Sequence, residues 1–282
     1  MPHHLLGKKV IITGGNRGIG RAIALAFAKQ GCDIVITYHS DPQAAKAVIH
    51  EIQQTDVKAK AIQVNLLEEK DRLRLIKESS EFLGNIDILV NNAGILTRNS
   101  FLNLSEDEVK QVFAVNVIGP FLLSQAVGRY MVERQEELAA RSEELPDRCI
   151  INITSISRKV VTPGLSHYEL SKAAASQMSK SLAMDEDFRR YKIRVNDVAP
   201  GLVPTDINRN QWQTNSSIWQ KRVAGIPLGR PGQPEEVAQV VIAVASNEWM
   251  TGTTLTIDGG RTRNWSGAEI SEGYQPILQS RL

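Results

Sequence analysis

Short runs that are apolar at almost every position recur through this chain, and each is followed by a stretch with apolar residues at helical spacing. KKVIIT (8–13), DIVITY (33–38), AKAIQVN (59–65), IDILVNN (86–92), CIINITS (149–155), KIRVNDVA (192–199) and TTLTID (253–258) read as strands. A strand without a polar face must be covered on both sides, which a parallel sheet flanked by helices achieves. The expected fold class is therefore α/β. One doubly wound domain would hold a seven-stranded parallel sheet with helices on both faces.

The helices carry their own punctuation. RGIGRAIALAFAKQG (17–31) ends at Gly31, and a helix over 42–54 has Asp41 as its cap and Pro42 at its first position. Further helices are expected over 68–83, 166–190 and 235–245. Ser105 and Glu108 form a capping-box pattern that opens a long helix. Its charged extension RQEELAARSEELPDR (134–148) turns at Pro146 and reads as a solvated helix end. No Pro-, Gly- or Ser-rich linker breaks the alternation, so 1–260 reads as one domain and 261–282 as a C-terminal tail. The tail reads as a partly mobile terminus, with the alternative that Trp265, Tyr274, Ile277 and Leu278 let it reach a neighbouring subunit.

Composition works by exclusion. With 33 basic against 31 acidic residues, nothing favours nucleic acid or an acidic membrane as a partner. No apolar run approaches the roughly 18–20 residues needed to span a bilayer. MPHHLLGKKV lacks the apolar stretch of a signal peptide. Cys32 and Cys149 lie far apart with no metal-ligand spacing, so no metal site is expected. They read as two buried, reduced thiols of a cytoplasmic protein.

The chemistry starts at VIITGGNRGIG (10–20), where a strand runs into four glycines and then a helix. Gly15 and Gly20 have the separation of a triphosphate-binding loop, but Arg21 and Ala22 stand where Lys and Ser/Thr are needed. A plain strand–helix turn would need one glycine, not Gly14, Gly15, Gly18 and Gly20. The remaining reading is a Rossmann-type turn, in which the backbone approaches a pyrophosphate at a helix N-terminus. Other polar groups fall at matching places. NNAG (91–94) closes the fourth strand, Asn116 lies inside the long helix, Ser155 ends the fifth strand, and Tyr168 and Lys172 share one helix face.

The pattern TGxxxGxG, with NNAG, Asn116, Ser155 and YELSK (168–172), resembles the short-chain dehydrogenase/reductase family along nearly the whole chain. The resemblance implies an NAD(P)-dependent oxidoreductase acting on a carbonyl or secondary alcohol, with Asn116, Ser155, Tyr168 and Lys172 as its catalytic set. It places the cofactor against Gly14, Asn16, Arg17, Gly18, Ile19 and Gly20, then Tyr38, His39 and Ser40, then Asn65 and Leu66. Asn92, Ala93 and Gly94, Tyr168 and Lys172, and Pro200, Gly201, Val203 and Thr205 complete the contacts. Asn65 stands where the family commonly has Asp. The resemblance further implies a homotetramer built from the long helix, the Tyr168 helix and the last strand.

No acid stands at Thr37 to repel a 2′-phosphate, while Arg17 and His39 could pair with one, so NADP is preferred and NAD is possible. The segment 202–230 would fold over the substrate. With Trp212 and Trp219 among polar residues, it suits a sugar or polyol, as in sugar (glucose) 1-dehydrogenases. The alternative is a 3-oxoacyl-[acyl-carrier-protein] reductase, whose carrier would want a basic patch from Arg98, Arg158, Lys159, Arg209 and Arg222. A third reading, from another class, is an idle NADP-binding sensor.

Overall fold

The computed structural model describes residues 5–213 and 216–263. Its seven strands are β1 (Lys9–Ile12), β2 (Asp33–Tyr38), β3 (Ala59–Gln63), β4 (Ile88–Asn91), β5 (Arg148–Ile153), β6 (Ile193–Pro200) and β7 (Thr254–Ile257). They form one sheet in the order β3-β2-β1-β4-β5-β6-β7, and every pairing is parallel. Val10 faces Ile34 on one side and Ile88 on the other, so β1 is central, and the strand order reverses there. Such a reversal leaves a crevice at the carboxyl ends of the strands.

Both faces of the sheet are covered. On one lie α1 (Gly18–Lys29), α2 (Pro42–Ile52) and α10 (Pro234–Ser246), with Ile23, Phe27, Val241 and Val244 buried against Ile12, Ile34 and Ile151. The other carries α3 (Glu69–Leu83), α5 (Gly119–Ala140), α6 (Ser166–Ala183) and the short α7 (Glu186–Arg190). There Leu75, Leu123, Val127 and Phe188 pack on Ile11, Leu89 and Ile150. Cys32 and Cys149 are free and buried, and burial pushes both thiols up to about 12. Asp41 caps α2 by accepting from the Ala44 amide at 2.9 Å, with Pro42 in its first turn. Ser105 and Glu108 close a reciprocal capping box at the start of α4 (Glu106–Phe113).

Four local expectations are corrected. The helix expected over 166–190 is two. Asp185 ends the first by accepting from the amides of Asp187 and Phe188, which starts α7 and drives Phe188 into the core beside Gly128. β6 begins at Ile193 rather than 192, because Lys192 takes a left-handed φ of 54°. The long helix is not α-helical throughout: Ala114–Ile118 forms a π turn, and Asn116 lies within it. The helical stretch Glu106–Ala140 does contain an 18-residue window with the length and composition of a membrane span, at mean hydropathy 1.4. Isolated polar residues such as Asn116, Ser124 and Gln125 hide this when only unbroken apolar runs are counted. Leu123, Val127 and Met131 on that stretch are wholly buried in the core.

Beyond Ala140, Gln135 Nε2 donates to the carbonyls of Pro146 and Tyr191, tying the charged 134–148 segment back to the body. Among the described residues between β6 and α10 the helices are short: a 3-10 turn at Asp206–Asn208, α8 (Arg209–Gln213) and α9 (Ser216–Ala224). Arg261–Arg263 make one 3-10 turn after β7, whereas Trp265, Tyr274, Ile277 and Leu278 lie outside the described residues.

Candidate active site

The crevice at the carboxyl ends of the strands is a cleft of about 800 Å³, within the usual range for small-molecule sites. Its floor follows from the turn after β1. Thr13 is fully buried, and its hydroxyl accepts from the amides of Asn92 and Ala93 at 2.9 and 3.0 Å. Asn92 Nδ2 returns bonds to the carbonyls of Thr13 and Gly14. The Gly14 amide donates to Thr37 Oγ1 at 3.2 Å. The glycine turn is thus tied to both neighbouring strands.

Gly18 opens α1 with a φ of 53°, and the cap residue Arg17 makes no side-chain bond to the helix end. The first turn of α1 also contains no acidic residue. A helix start left uncapped and free of carboxylates presents N–H groups and positive potential to an anion. These features fit the pyrophosphate of a dinucleotide.

Every cofactor-contact residue named from the sequence lines this cleft, from Tyr38, His39, Ser40, Asn65 and Leu66 at one end to Pro200, Gly201, Val203 and Thr205 at the other. Asp41 lines it too, with its carboxylate engaged as the α2 cap. Arg17 lies 3.9 Å from Asp206, so it leans toward the chain that covers the cleft.

Ser155, Tyr168 and Lys172 meet within the cleft. Ser155 follows β5 and accepts from the Ser157 amide at 3.1 Å. Lys172 lies one turn beyond Tyr168, its Nζ 5.8 Å from the ring centre, and donates to the Ile153 carbonyl at 3.1 Å. Burial pushes the Tyr168 phenol up to about 12, against a side-chain hydrogen bond with Ser155 that pulls it down. Burial also pushes the Lys172 ammonium down to about 8. Sequence reasoning expected Lys172 to lower the phenol; in the chain alone the downward pull comes from Ser155, and desolvation outweighs it.

Asn116 does not line the cleft; it stands behind it. Its Oδ1 accepts from the Ile95 amide at 2.8 Å, while Nδ2 donates to the Ile95 carbonyl and to Ser171 Oγ. Asn116 Oδ1 and Lys172 Nζ both flank Gly94, where an added Cβ would stand 3.1 and 3.5 Å from them. The π turn of Asn116 is a common device for presenting a side chain at a functional site. Thr154, beside Ser155, is occupied elsewhere: its hydroxyl donates to the buried Asp197 at 2.8 Å.

Three expectations about the covering segment need revision. Neither Trp212 nor Trp219 lines the cleft; Trp212 Nε1 donates back to the Thr205 carbonyl. The candidate basic patch is divided. Arg158 and Lys159 line a separate pocket with Arg263, Arg209 pairs with Asp206, and Arg222 lines the cleft. Arg261 also lines the cleft, and sequence reasoning missed it because it begins the stretch read as a tail.

Comparison with known proteins agrees with this geometry. A family model described as enoyl-(acyl carrier protein) reductase matches residues 14–262. A 3-oxoacyl-[acyl-carrier-protein] reductase of Aquifex aeolicus is 37% identical over 259 residues, 91% of this chain and 98% of that protein. Glucose 1-dehydrogenase 2 of Bacillus subtilis is 32% identical over 261 residues, covering 92% and 96%. Among solved structures, a short-chain dehydrogenase from Burkholderia cenocepacia in complex with NADP superposes with a TM-score of 0.80 at 32% identity, covering 92% of this chain and 99% of that one. The chain belongs to the short-chain dehydrogenase/reductase family and is an NAD(P)-dependent oxidoreductase acting on alcohol and carbonyl groups.

Proposed function

We propose that this protein interconverts a secondary alcohol and a carbonyl on a small polar substrate, with NADP as preferred cofactor and with Asn116, Ser155, Tyr168 and Lys172 as its catalytic set. The observation that carries this reading is the meeting of Ser155, Tyr168 and Lys172 inside the glycine-floored cleft, with Lys172 one turn beyond Tyr168. Bound NADP(H) supplies or receives the hydride. In reduction, the Tyr168 hydroxyl gives its proton to the oxygen that takes up negative charge, and in oxidation the phenolate takes that proton back. Ser155 holds the substrate oxygen by hydrogen bonding. With the cofactor bound, Lys172 would favour the phenolate by its positive charge and would be the residue to hold the nicotinamide ribose. Asn116, fixed on both sides of Ile95, holds the ordered end of a proton path beyond Lys172.

We read the Tyr168 phenol and the Lys172 ammonium, one turn apart on α6, as one titrating unit. With the phenol near 12 and the ammonium near 8, the pair gives up its first proton near pH 8. A state short of one proton is the one that accepts a proton from an alcohol. Alcohol oxidation is therefore expected to rise through about pH 8, and carbonyl reduction to fall over the same interval. An oxidation profile flat from pH 7 to 9 would contradict the pairing.

NADP is favoured because β2 ends without an acid at Thr37 or Tyr38, and the nearest carboxylate, Asp41, is engaged as a cap. Arg17 supplies the cation for a 2′-phosphate. The expected result is a higher kcat/KM with NADPH than with NADH, reduced in Arg17→Ala. An NADH preference above about tenfold, worth about 1.4 kcal/mol, would reverse the assignment.

A sugar or polyol remains the favoured substrate class. The likeness to a glucose 1-dehydrogenase and the polar side chains of Asp206 and Asn208 at the cleft support it. The carrier-protein reading keeps the support of the Aquifex relative, while the divided basic patch removes its surface argument. A complete proton-transfer set argues against an idle sensor. The protein is assigned to the cytoplasm and to a homotetramer, in which exposed Ile118 and Phe121 near the start of α5 and Leu170 on α6 would be covered. Light scattering is expected to give four chain masses; a monomer would refute the assembly.

A further inference from the structure

Tyr168 is the third residue of α6, in the turn where a helix frays most readily. The cap position before that turn is Leu165, which gives it no side-chain hydrogen bond. It therefore lacks what Ser, Thr, Asp or Asn supplies at a helix start. Glu169 accepts from the Thr162 amide, which joins the turn only to its own approach. A proton-transferring hydroxyl must nevertheless keep its place closely, since a displacement of about 1 Å can cost about a hundredfold in rate.

The loop that follows β4 steadies this turn from outside. Three consecutive residues of that loop reach the start of α6. Thr97 Oγ1 and His167 Nε2 share a hydrogen bond of 2.7 Å. Arg98 Nη1 donates to the Pro163 carbonyl at 2.6 Å, and the Asn99 amide donates to the Gly164 carbonyl at 3.2 Å. An added Cβ at Gly164 would stand 3.2 Å from both the Arg98 stem and the Asn99 carbonyl oxygen, so the two segments touch closely. The same loop is fixed at its other end, where Asn116 bonds both backbone groups of Ile95. Leu96, between the two fixed points, lines the cleft with Tyr168.

The three contacts differ in kind. The Arg98 bond is exposed, and Asn99 contributes only its backbone amide. Thr97 and His167 meet side chain to side chain, and His167 is 2% exposed. Water cannot readily replace a bond to so buried a ring, so losing it leaves a polar atom unsatisfied. His167 directly precedes Tyr168, so a shift of its ring moves the backbone that carries the phenol. Neither Thr97 nor His167 lines the cleft.

We propose that Thr97 and His167 are positioning residues: their buried hydrogen bond ties the loop after β4 to the first turn of α6 and so sets where the Tyr168 hydroxyl stands. This rests on the hydride-transfer reading above, in which Tyr168 moves the proton.

Thr97→Val tests the tie with little disturbance, because valine keeps the branched shape at a half-buried position and removes only the hydroxyl. Assays use the best substrate from a panel of ketones, sugars and 3-oxoacyl esters with NADPH or NADP. In Thr97→Val, kcat is expected to fall by about ten- to a hundredfold, while KM and the NADPH Kd stay within about twofold. Thr97→Ser keeps the hydroxyl and should stay within about twofold of wild type throughout. His167→Leu should match Thr97→Val in kcat, and the double variant should lose little more than either, as two partners of one bond do.

Hydrogen exchange gives a readout that needs no turnover. The amides of Asn99, Leu165 and Glu169 bond within this junction. In Thr97→Val they should exchange at least about tenfold faster, with the amides of β5 unchanged. Unchanged kcat or unchanged exchange in Thr97→Val would overturn the proposal. So would equal losses in Thr97→Ser, or a matching loss of NADPH affinity, either of which marks a general structural defect. If the wild-type protein turns over no member of the panel, the hydride-transfer reading fails and exchange decides the tie. Faster exchange confined to the junction then sustains it, and unchanged exchange overturns it.

Discussion

Tyr168→Phe is expected to cut turnover by between about a hundred- and ten-thousandfold, the range that positioned proton transfer supplies. The substitution removes one oxygen and leaves the buried ring. NADPH should therefore still bind, and the thermal midpoint should fall little. The hydroxyl shares the cleft with Ser155 and can hand a proton to an oxyanion held there. Lys172 lies one turn beyond it with its Nζ donating to the Ile153 carbonyl, a place from which it supports the phenol and does not replace it. Stopped-flow measurement separates the two effects: the chemical step should slow while NADPH binding, followed by fluorescence, persists. Retained turnover would remove Tyr168 from the mechanism and leave only the fold assigned.

Gly20→Ala should damage the other half of the site. An added methyl would overlap the Gly14 carbonyl and stand 2.5 Å from Asn92 Nδ2. Neither neighbour can step aside. Gly14 is tied to Thr37, and Asn92 Nδ2 bonds the two carbonyls beside it. Forcing a methyl into a packed position costs about 1–3 kcal/mol or more. The turn must open or shift, so NADPH affinity is expected to fall at least about tenfold. Gly84→Ala supplies the control, since an added methyl there meets nothing within 4 Å and the position lies at the end of α3. It should cost some stability through its left-handed φ of 83° while NADPH affinity is kept. Equal loss of affinity in both variants would show a general folding defect and not a crowded turn.

Much of this was legible in the sequence because the signals are local. Strands buried on both faces have no polar side, and the seven runs identified them with their parallel arrangement. Asp41 with Pro42, and Ser105 with Glu108, wrote two helix starts directly into the chain. The residues lining the cleft came from the resemblance to the short-chain dehydrogenase/reductase family, whose motifs fall at the ends of these strands. What escaped depended on contacts distant in sequence. Asp185 looks like any polar helix residue until Phe188 finds its place beside Gly128. The Trp212 side chain turns away from the cleft to a carbonyl that only the folded turn supplies. Arg261 joins Arg222 across 39 residues, and no spacing rule relates the two. The raised Tyr168 phenol is a matter of depth, which composition does not carry.

The π turn at Ala114–Ile118 has a further consequence for how this chain can change. A turn of that kind holds one residue more than an α turn. Losing that residue would let the helix become regular, and the tighter winding would leave the helix downstream facing nearly the same way. Leu123, Val127 and Met131 would stay on the sheet. Asn116 would lose the wider turn from which it reaches both backbone groups of Ile95. The seating of the core helix and the placing of one asparagine behind the cleft therefore answer to different features, and a single deletion in this turn would separate them.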